Sequence, residues 1–393
     1  MATGDISARR ARTRQTVLAA LTADGSATRA ALSAATGLSR SAISECIADL
    51  VADGTVVEEP AAGPGGRGRP ATAVRLSRPD GVVLGVDLGH AHVTVAVATT
   101  GGDLLVERSA DLDVDHRPHP ALDLAASLAT AALADAGRPA EDVRAVAAGI
   151  PGPIDVRTRV VRAPTILVDW VGIDPAAELA GRLGRPAVVG NDADMGAIGE
   201  YTFGAARGFA DFLYIKASHG VGAGIVLGGR TYRGTTGIAG EIGHTQLPGA
   251  TSWCRCGSRG CLETVASISE VREQLAHVLT TANEPTAAAT LPPLPELVGN
   301  PAAARVITDA GRTIGRVVAD LVNCLNPAAV VLGGELGAAG EPFVNGVRES
   351  IDRYAQPAAA QAVRTLPAEL GARAELMGTV ATAIRSLAGS VPA

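Results

Sequence analysis

Residues 241–263 read EIGHTQLPGATSWCRCGSRGCLE and hold three cysteines, one histidine and two glutamates. Thiolates and an imidazole at such short spacing suit tetrahedral zinc. His244, Cys254, Cys256 and Cys261 supply four ligands. A closed four-ligand site keeps no position for an activated water, so the expected ion is structural Zn2+. The competing reading is three buried free thiols. A disulfide framework does not fit, because Cys254 and Cys256 are too close to bridge comfortably and three of the five cysteines share one stretch. A reducing compartment is expected.

The elements that must position this cluster come from a chain of 393 residues, long enough for two or three domains. It is 47% hydrophobic but only 3% aromatic, so its core must be aliphatic. No segment approaches the ~20 apolar residues of a membrane helix. The run VLAALTA behind the arginine-rich start is short and lacks a cleavage-type sequence. A cytoplasmic protein with no membrane partner is expected. Residues 1–78 carry 10 Arg against 7 Asp and Glu, whereas the rest carries 24 Lys and Arg against 33 Asp and Glu. A basic head on an acidic body points the head at a polyanion.

Within the head, Val17, Leu18 and Leu21 have helical spacing. Thr28 can cap a short helix bearing Leu32, and Gly37 supplies a tight turn. Ser39 then caps a second helix whose Ile43, Ile47 and Leu50 share a face. Short helix, glycine turn and polar-fronted helix make the helix-turn-helix pattern, whose partner is a double-stranded DNA operator. Ser39, Arg40, Ser41 and Ser44 would face base edges and phosphates. The bland alternative is a helical hairpin with a solvated face. VVEEP and AVRLS read as the strands of a wing, joined by a basic wing tip or linker over 60–72. There Arg67 and Arg69 either enter a narrow minor groove or belong to a flexible basic tip.

From residue 79 the chain gives a strand meander, a helix and a strand, and then a second series ending in a long helix, the strand AAVVLGGEL and a final helix. This repetition predicts two related α/β lobes with a cleft between them. The expected division is 1–78 head, 79–190 first lobe and 191–393 second lobe with the cysteine motif. Cys46 and Cys324 are both expected on apolar, buried helix faces.

The motifs GVDLG, GIPGPID, GNDAD, GVGAGIVLGG, EIGH, CRCGSRGCLE and NPAAVVLGGEL, in this order, resemble the ROK family of sugar kinases and sugar-responsive repressors. The cysteine motif is highly specific, while each glycine loop alone is weak. The resemblance covers essentially the whole chain and implies an actin/hexokinase-like two-lobed fold behind a winged helix-turn-helix. It also implies that the zinc loop floors a sugar pocket, and it nominates Asn191, Asp192, Glu241, His244 and Glu263 for a small carbohydrate. Each of these could instead be a satisfied loop polar or a helix cap, and Asp192 could cap the following helix. Thr165 stands where the kinases usually carry asparagine, which leaves the sugar's identity open.

The resemblance also sets up a choice between kinase and switch. Asp192 stands where the family places its catalytic aspartate, and Asp87 could organise Mg2+. The phosphate loops depart from the kinase pattern. DLGHAH replaces D-x-G-G-T-K, with His90 for a glycine after Asp87 and Gly89. SHGVG replaces G-T-G-x-G, with His219 ahead of Gly220 and Gly222. Side chains added to loops that must wrap phosphate oxygens block that approach. ATP and Mg2+ are therefore not expected as cofactors, and no catalytic residue is expected. Lys216 is the single lysine and no arginine is evident in the cleft, which favours a neutral sugar over a sugar phosphate. The expectation is a homodimeric or homotetrameric repressor whose DNA affinity a sugar sets. The alternative is a bifunctional ATP-dependent, glucokinase-like sugar kinase with a DNA-binding head.

Overall fold

The computed structural model describes residues 10, 12–18, 20–21, 26–60, 72–77, 81–162, 167–280 and 287–387; Arg67, Arg69 and Thr165 lie outside them. Met1–Asp80 and Gly81–Ser386 form separate compact units. Among the described residues, no helix is long and apolar enough to cross a membrane.

In the head unit, the Thr28 hydroxyl accepts from Ala31 N at 3.2 Å and opens the helix Arg29–Thr36. Gly37 closes that helix at φ +69°, a left-handed turn that glycine enters without a Cβ penalty. Ser39 caps Arg40–Ala52 by accepting from Ala42 N at 3.3 Å. Ile43, Cys46, Ile47 and Leu50 are buried together with Leu32, Val17 and Leu21. Val56–Pro60 and Thr72–Leu76 pair antiparallel as the wing. A third strand, Ser26–Thr28, adds to the other edge of Thr72–Leu76. It is too short for alternation to announce it.

In the body, two five-stranded sheets repeat one plan. The first runs Leu104–Asp111, His92–Thr99, Val82–Leu88, Val143–Ile150, Ala187–Asn191. The second runs Arg230–Thr231, Val221–Leu227, Phe212–Ala217, Ala329–Gly333, Arg364–Pro367. In each, the hairpin side is antiparallel and the far side parallel. Every residue of Val82–Leu88 is buried, as a central strand covered on both faces requires. Each sheet has its own aliphatic core, led by Val82, Leu84 and Val95 in one and by Leu213, Ile307 and Val347 in the other.

One helix lies across the expected lobe boundary, and one cysteine is placed otherwise than expected. The C-terminal helix Ala374–Leu387 spans both lobes: Thr379 and Val380 lie directly over Gly85 of the first sheet, while Ala374 packs with Phe212 and Tyr214 of the second and Ala381 with Met195 and Ile198. The division at residue 190 is therefore crossed, because a helix whose face is lined by Gly378, Thr379 and Thr382 can approach a glycine-bearing strand closely. Cys324 is exposed. The buried stripe of Pro301–Leu325 runs through Ile307, Ile314, Val318 and Val322, and Cys324 sits two residues round from it.

Candidate ligand cleft, metal centre and nucleic-acid surface

In α/β sheets the carboxyl ends of parallel strands are where ligands collect. Here Asp87 ends one central strand and Pro151–Gly152 follow a second. Asn191 ends a third, and Lys216 and Gly334 close the matching strands of the other sheet. All of them line one cavity of about 250 Å3, together with Asp192, Glu241, His244 and Glu263. The cavity thus collects the five residues nominated for sugar.

Asn191, not Asp192, caps the helix Asp192–Phe203. Its Oδ1 accepts from Ala193 N at 2.9 Å and Asp194 N at 3.4 Å. The capping oxygen is thereby committed, and Nδ2 reaches Gly152 O at 3.4 Å. Asp192 keeps its carboxylate for the cleft, where Oδ1 accepts from Ala193 N and Oδ2 from Lys216 Nζ. Lys216 pairs in register with Gly222 on one side and Gly333 on the other. Glycines on both flanks leave its stem free of neighbouring Cβ atoms on that face.

Burial opposes the Lys216 charge, but Asp192, Glu375 and Asp87 outweigh it and hold the pKa above the ordinary lysine value. Glu375 lies beneath them, accepting from Tyr214 Oη at 3.1 Å, and burial pushes its pKa up to about 7. Glu241, on the opposite wall, is also pushed to about 7 by burial, then by Asp192 and Glu263. A buried ammonium therefore offsets a set of carboxylates that water alone would have to solvate.

The phosphate-loop positions are filled from within. His92 Nε2 meets Asp87 Oδ2 at 3.1 Å, and this bond raises the imidazole pKa against the effect of burial. The same ring lies against Gly89 and leaves no room there for a Cβ. His90 Nδ1 sits 2.7 Å from Asp115 Oδ1, and its ring faces that of His219 with centroids 5.5 Å apart. Burial, and next His90, lower the His219 pKa below the ordinary histidine value. The loop of Gly220 and Gly222 is closed further by Ser218, whose N donates to Gly220 O at 2.9 Å and whose Oγ accepts from Glu335 N at 3.1 Å.

Three other groups now belong to the cleft: His92, Glu375 and Arg255. The expectation that no arginine enters it is corrected, because Arg255 lines the cavity. Its guanidinium lies 3.9 Å from Asp115 and 3.8 Å from Glu263. Its charge is thus balanced locally. The only sequence hint was its place between two cysteines of the candidate metal cluster. Glu375 had no such signal, since 159 residues separate it from Lys216.

His244, Cys254, Cys256 and Cys261 converge, with their ligand atoms all within 4.8 Å of one another. His244 Nδ1 is 3.6 Å from Cys254 Sγ, and Cys256 Sγ is 3.7 Å from Cys261 Sγ. Ligands about 2.3 Å (sulfur) and about 2.0 Å (nitrogen) from one zinc in tetrahedral array lie about 3.5–3.8 Å apart. The residues fit such an ion, and it would tie the loop from 244 to 261 into one piece. His244 turns its other nitrogen to the cleft, where Nε2 is 3.7 Å from Glu241 Oε2. Among the described residues the chain shows free cysteines only.

On the head, Ser39, Arg40, Ser41 and Ser44 are all exposed on the front of the second helix. Other arginines there are engaged by carboxylates: Arg10 with Glu45, Arg14 with Asp53, Arg29 with Glu58 and Arg75 with Glu59. Arg40 has no ion pair among the described residues.

Comparison with known proteins agrees with both units. A winged helix-turn-helix DNA-binding family model matches residues 10–57, and the ROK family model matches residues 83–386. A putative xylose repressor of Caldicellulosiruptor sp. is 27% identical over 91% of this chain and 92% of its own. The crystal structure of a ROK family transcriptional regulator, a homolog of the E. coli MLC protein, superposes with TM-score 0.73 at 25% identity, covering 96% of this chain and 97% of that one. A ROK family glucokinase from Streptomyces griseus, solved with glucose and AMPPNP, gives TM-score 0.66 at 29% identity over 77% of this chain and 99% of its own. The actin/hexokinase-like body, the winged helix-turn-helix and the Cys3His cluster therefore stand together: the chain belongs to the ROK family, in its winged-helix transcriptional-regulator form.

Proposed function

We propose that this protein is a DNA-binding repressor of carbohydrate genes whose operator affinity is set by a neutral sugar in the cleft, and that it transfers no phosphoryl group. One observation carries the reading: the loops where a kinase would wrap phosphate hold His90, His92 and His219, with His92 bonded to Asp87 and the rings of His90 and His219 facing each other. A sugar in the cleft meets acceptors on Asp192, Glu241 and Glu263 and a donor on His244 Nε2. Zn2+ on His244, Cys254, Cys256 and Cys261 stiffens the wall that presents His244 and Glu263. Asn191 shapes the corner as a helix cap.

A general base for phosphoryl transfer must receive a proton from the attacking hydroxyl. An Asp192 oxygen that already accepts from an ammonium is a weaker base, and Asp87 holds His92 where a metal ion would have to bind. Sugar binding changes the angle between lobes joined by the two packed helices Asp192–Phe203 and Ala374–Leu387. In a homodimer or homotetramer this alters the separation of paired recognition helices, which must match half-sites about 34 Å apart. Ser39, Arg40, Ser41 and Ser44 read the groove, and Arg67 and Arg69 add contacts from the wing.

The test uses an operator selected by the full chain from random duplex DNA, followed by fluorescence anisotropy with a panel of neutral sugars. Release by one of them at micromolar to millimolar concentration is the expected result. Sugar-dependent ADP formation from Mg-ATP that vanishes in Asp192→Asn would replace this reading with the kinase.

A further inference from the structure

A second cavity adjoins the sugar cleft on the side of the cysteine loop. The two share His90, His219, Arg255 and Glu263 as a common wall. Beyond that wall the lining includes Trp253, Asp115, Thr264, Ser267, Ser269 and Glu270. The cleft already described does not use these six groups.

Trp253 is the most exposed large hydrophobic residue among those described, at 68%. The other tryptophan, Trp170, is fully buried and donates from its indole to Val114 O at 2.7 Å. The Trp253 ring is held in place nonetheless. The Arg259 guanidinium covers one side at 3.9 Å from the ring centroid, and Trp253 and Arg259 also form a β-bridge. Its chain neighbour is the ligand Cys254. A rigid, oriented aromatic face beside carboxylates and hydroxyls is costly to leave in water and has one well-suited partner. A pyranose ring presents an apolar face of C–H groups and a rim of hydroxyls.

We propose that this groove is a second sugar subsite and that the effector is a neutral oligosaccharide of at least two rings. The first ring sits among Asp192, Glu241, His244 and Glu263, and the second stacks on Trp253 with its hydroxyls bonded to Asp115, Ser269 and Glu270. The inference rests on the carbohydrate reading of the cleft. Arg255 stands where the two cavities meet, and its ion pairs at 3.8 and 3.9 Å are long enough for it to turn toward the bridging oxygen. The groove holds three carboxylates, Asp115, Glu263 and Glu270, against the Arg255 guanidinium, an excess of negative charge that disfavours an anionic ligand. A docking partner protein would meet an apolar centre with a polar rim, whereas here a single aromatic is surrounded by polar groups.

The experiment is titration of the full-length, zinc-containing chain with neutral monosaccharides and the disaccharides built from them. Affinity is followed by calorimetry and Trp253 exposure by iodide quenching, to which the buried Trp170 contributes little. The expected result is a disaccharide that binds about 3- to 10-fold more tightly than its own monosaccharide and shields Trp253 from iodide. Trp253→Ala should abolish that advantage, and Trp253→Phe, which keeps a stacking face, should retain most of it. Equal affinities for one and two rings, or an advantage that survives Trp253→Ala, overturns the subsite while leaving a monosaccharide-responsive repressor intact. Trp253 already shielded in the sugar-free protein, and uncovered on dilution to monomer, gives the surface to a second copy of the chain and also overturns it. Failure of every neutral sugar to bind removes the carbohydrate reading itself.

Discussion

Lys216 donates a hydrogen bond to Oδ2 of Asp192, joining the second sheet to the helix that leaves the first. It is the chain's single lysine among 34 basic residues. Lysine is a compact point charge, and a guanidinium fork would not fit as readily among Asp192, Asp87 and Glu375.

Replacing Lys216 by methionine leaves those carboxylates without their cation. Breaking a buried pair costs about 3–5 kcal/mol, and denaturant unfolding of K216M should show a loss of that size. The double variant K216M/D192N should recover part of it, since one orphaned charge has gone. If K216M is as stable as the parent, solvent rather than lysine balances the cluster.

Glu375 gives stability a pH signature. Its pKa in the folded protein is about 7 against an ordinary 4.5, so between these values the folded state holds more protons than the unfolded one. Its contribution is complete below pH 4.5 and is lost as pH rises to about 7, amounting to about 3 kcal/mol. Glu375→Gln still accepts from Tyr214 and should flatten that slope, with a higher melting temperature than the parent at pH 8. An unchanged slope would assign the dependence to other groups.

Metal removal should act on the ligand cleft. One equivalent of zinc is expected by elemental analysis, and Cys261→Ser should lose it together with sugar binding. His244 and Glu263 then lose the loop that aims them. A chelator that strips the metal yet leaves sugar affinity unchanged would show that the loop holds its shape unaided.

For the head, Arg40→Ala should weaken operator binding by about 1–3 kcal/mol if the guanidinium reads a base, with relaxed preference at that position. If it meets a phosphate instead, affinity falls evenly across sequences and the salt slope drops by about 1. Ser39→Ala should also cost about 0.5–2 kcal/mol of stability through its lost cap. Operator affinity unaffected by either change would move the DNA surface elsewhere on the head.

Local chemistry was legible in the sequence. Thr28, Gly37 and Ser39 act within a few residues of themselves, so the helix-turn-helix follows from caps and a left-handed turn. The four residues of the Cys3His cluster lie within one short span, and the strands of both sheets carry their own pattern. The tertiary structure decided what distant residues do to one another. It made Asn191 the cap and freed Asp192 for the cleft, because the helix begins at Asp192 itself. It laid the last helix across both sheets, placed Glu375 beneath Lys216 and set His92 against Asp87. It put Trp253 and Arg255 along a groove that shares a wall with the cleft. Charge pairing and close packing depend on distances across the fold, and sequence separation carries no trace of them until the two sheets have met.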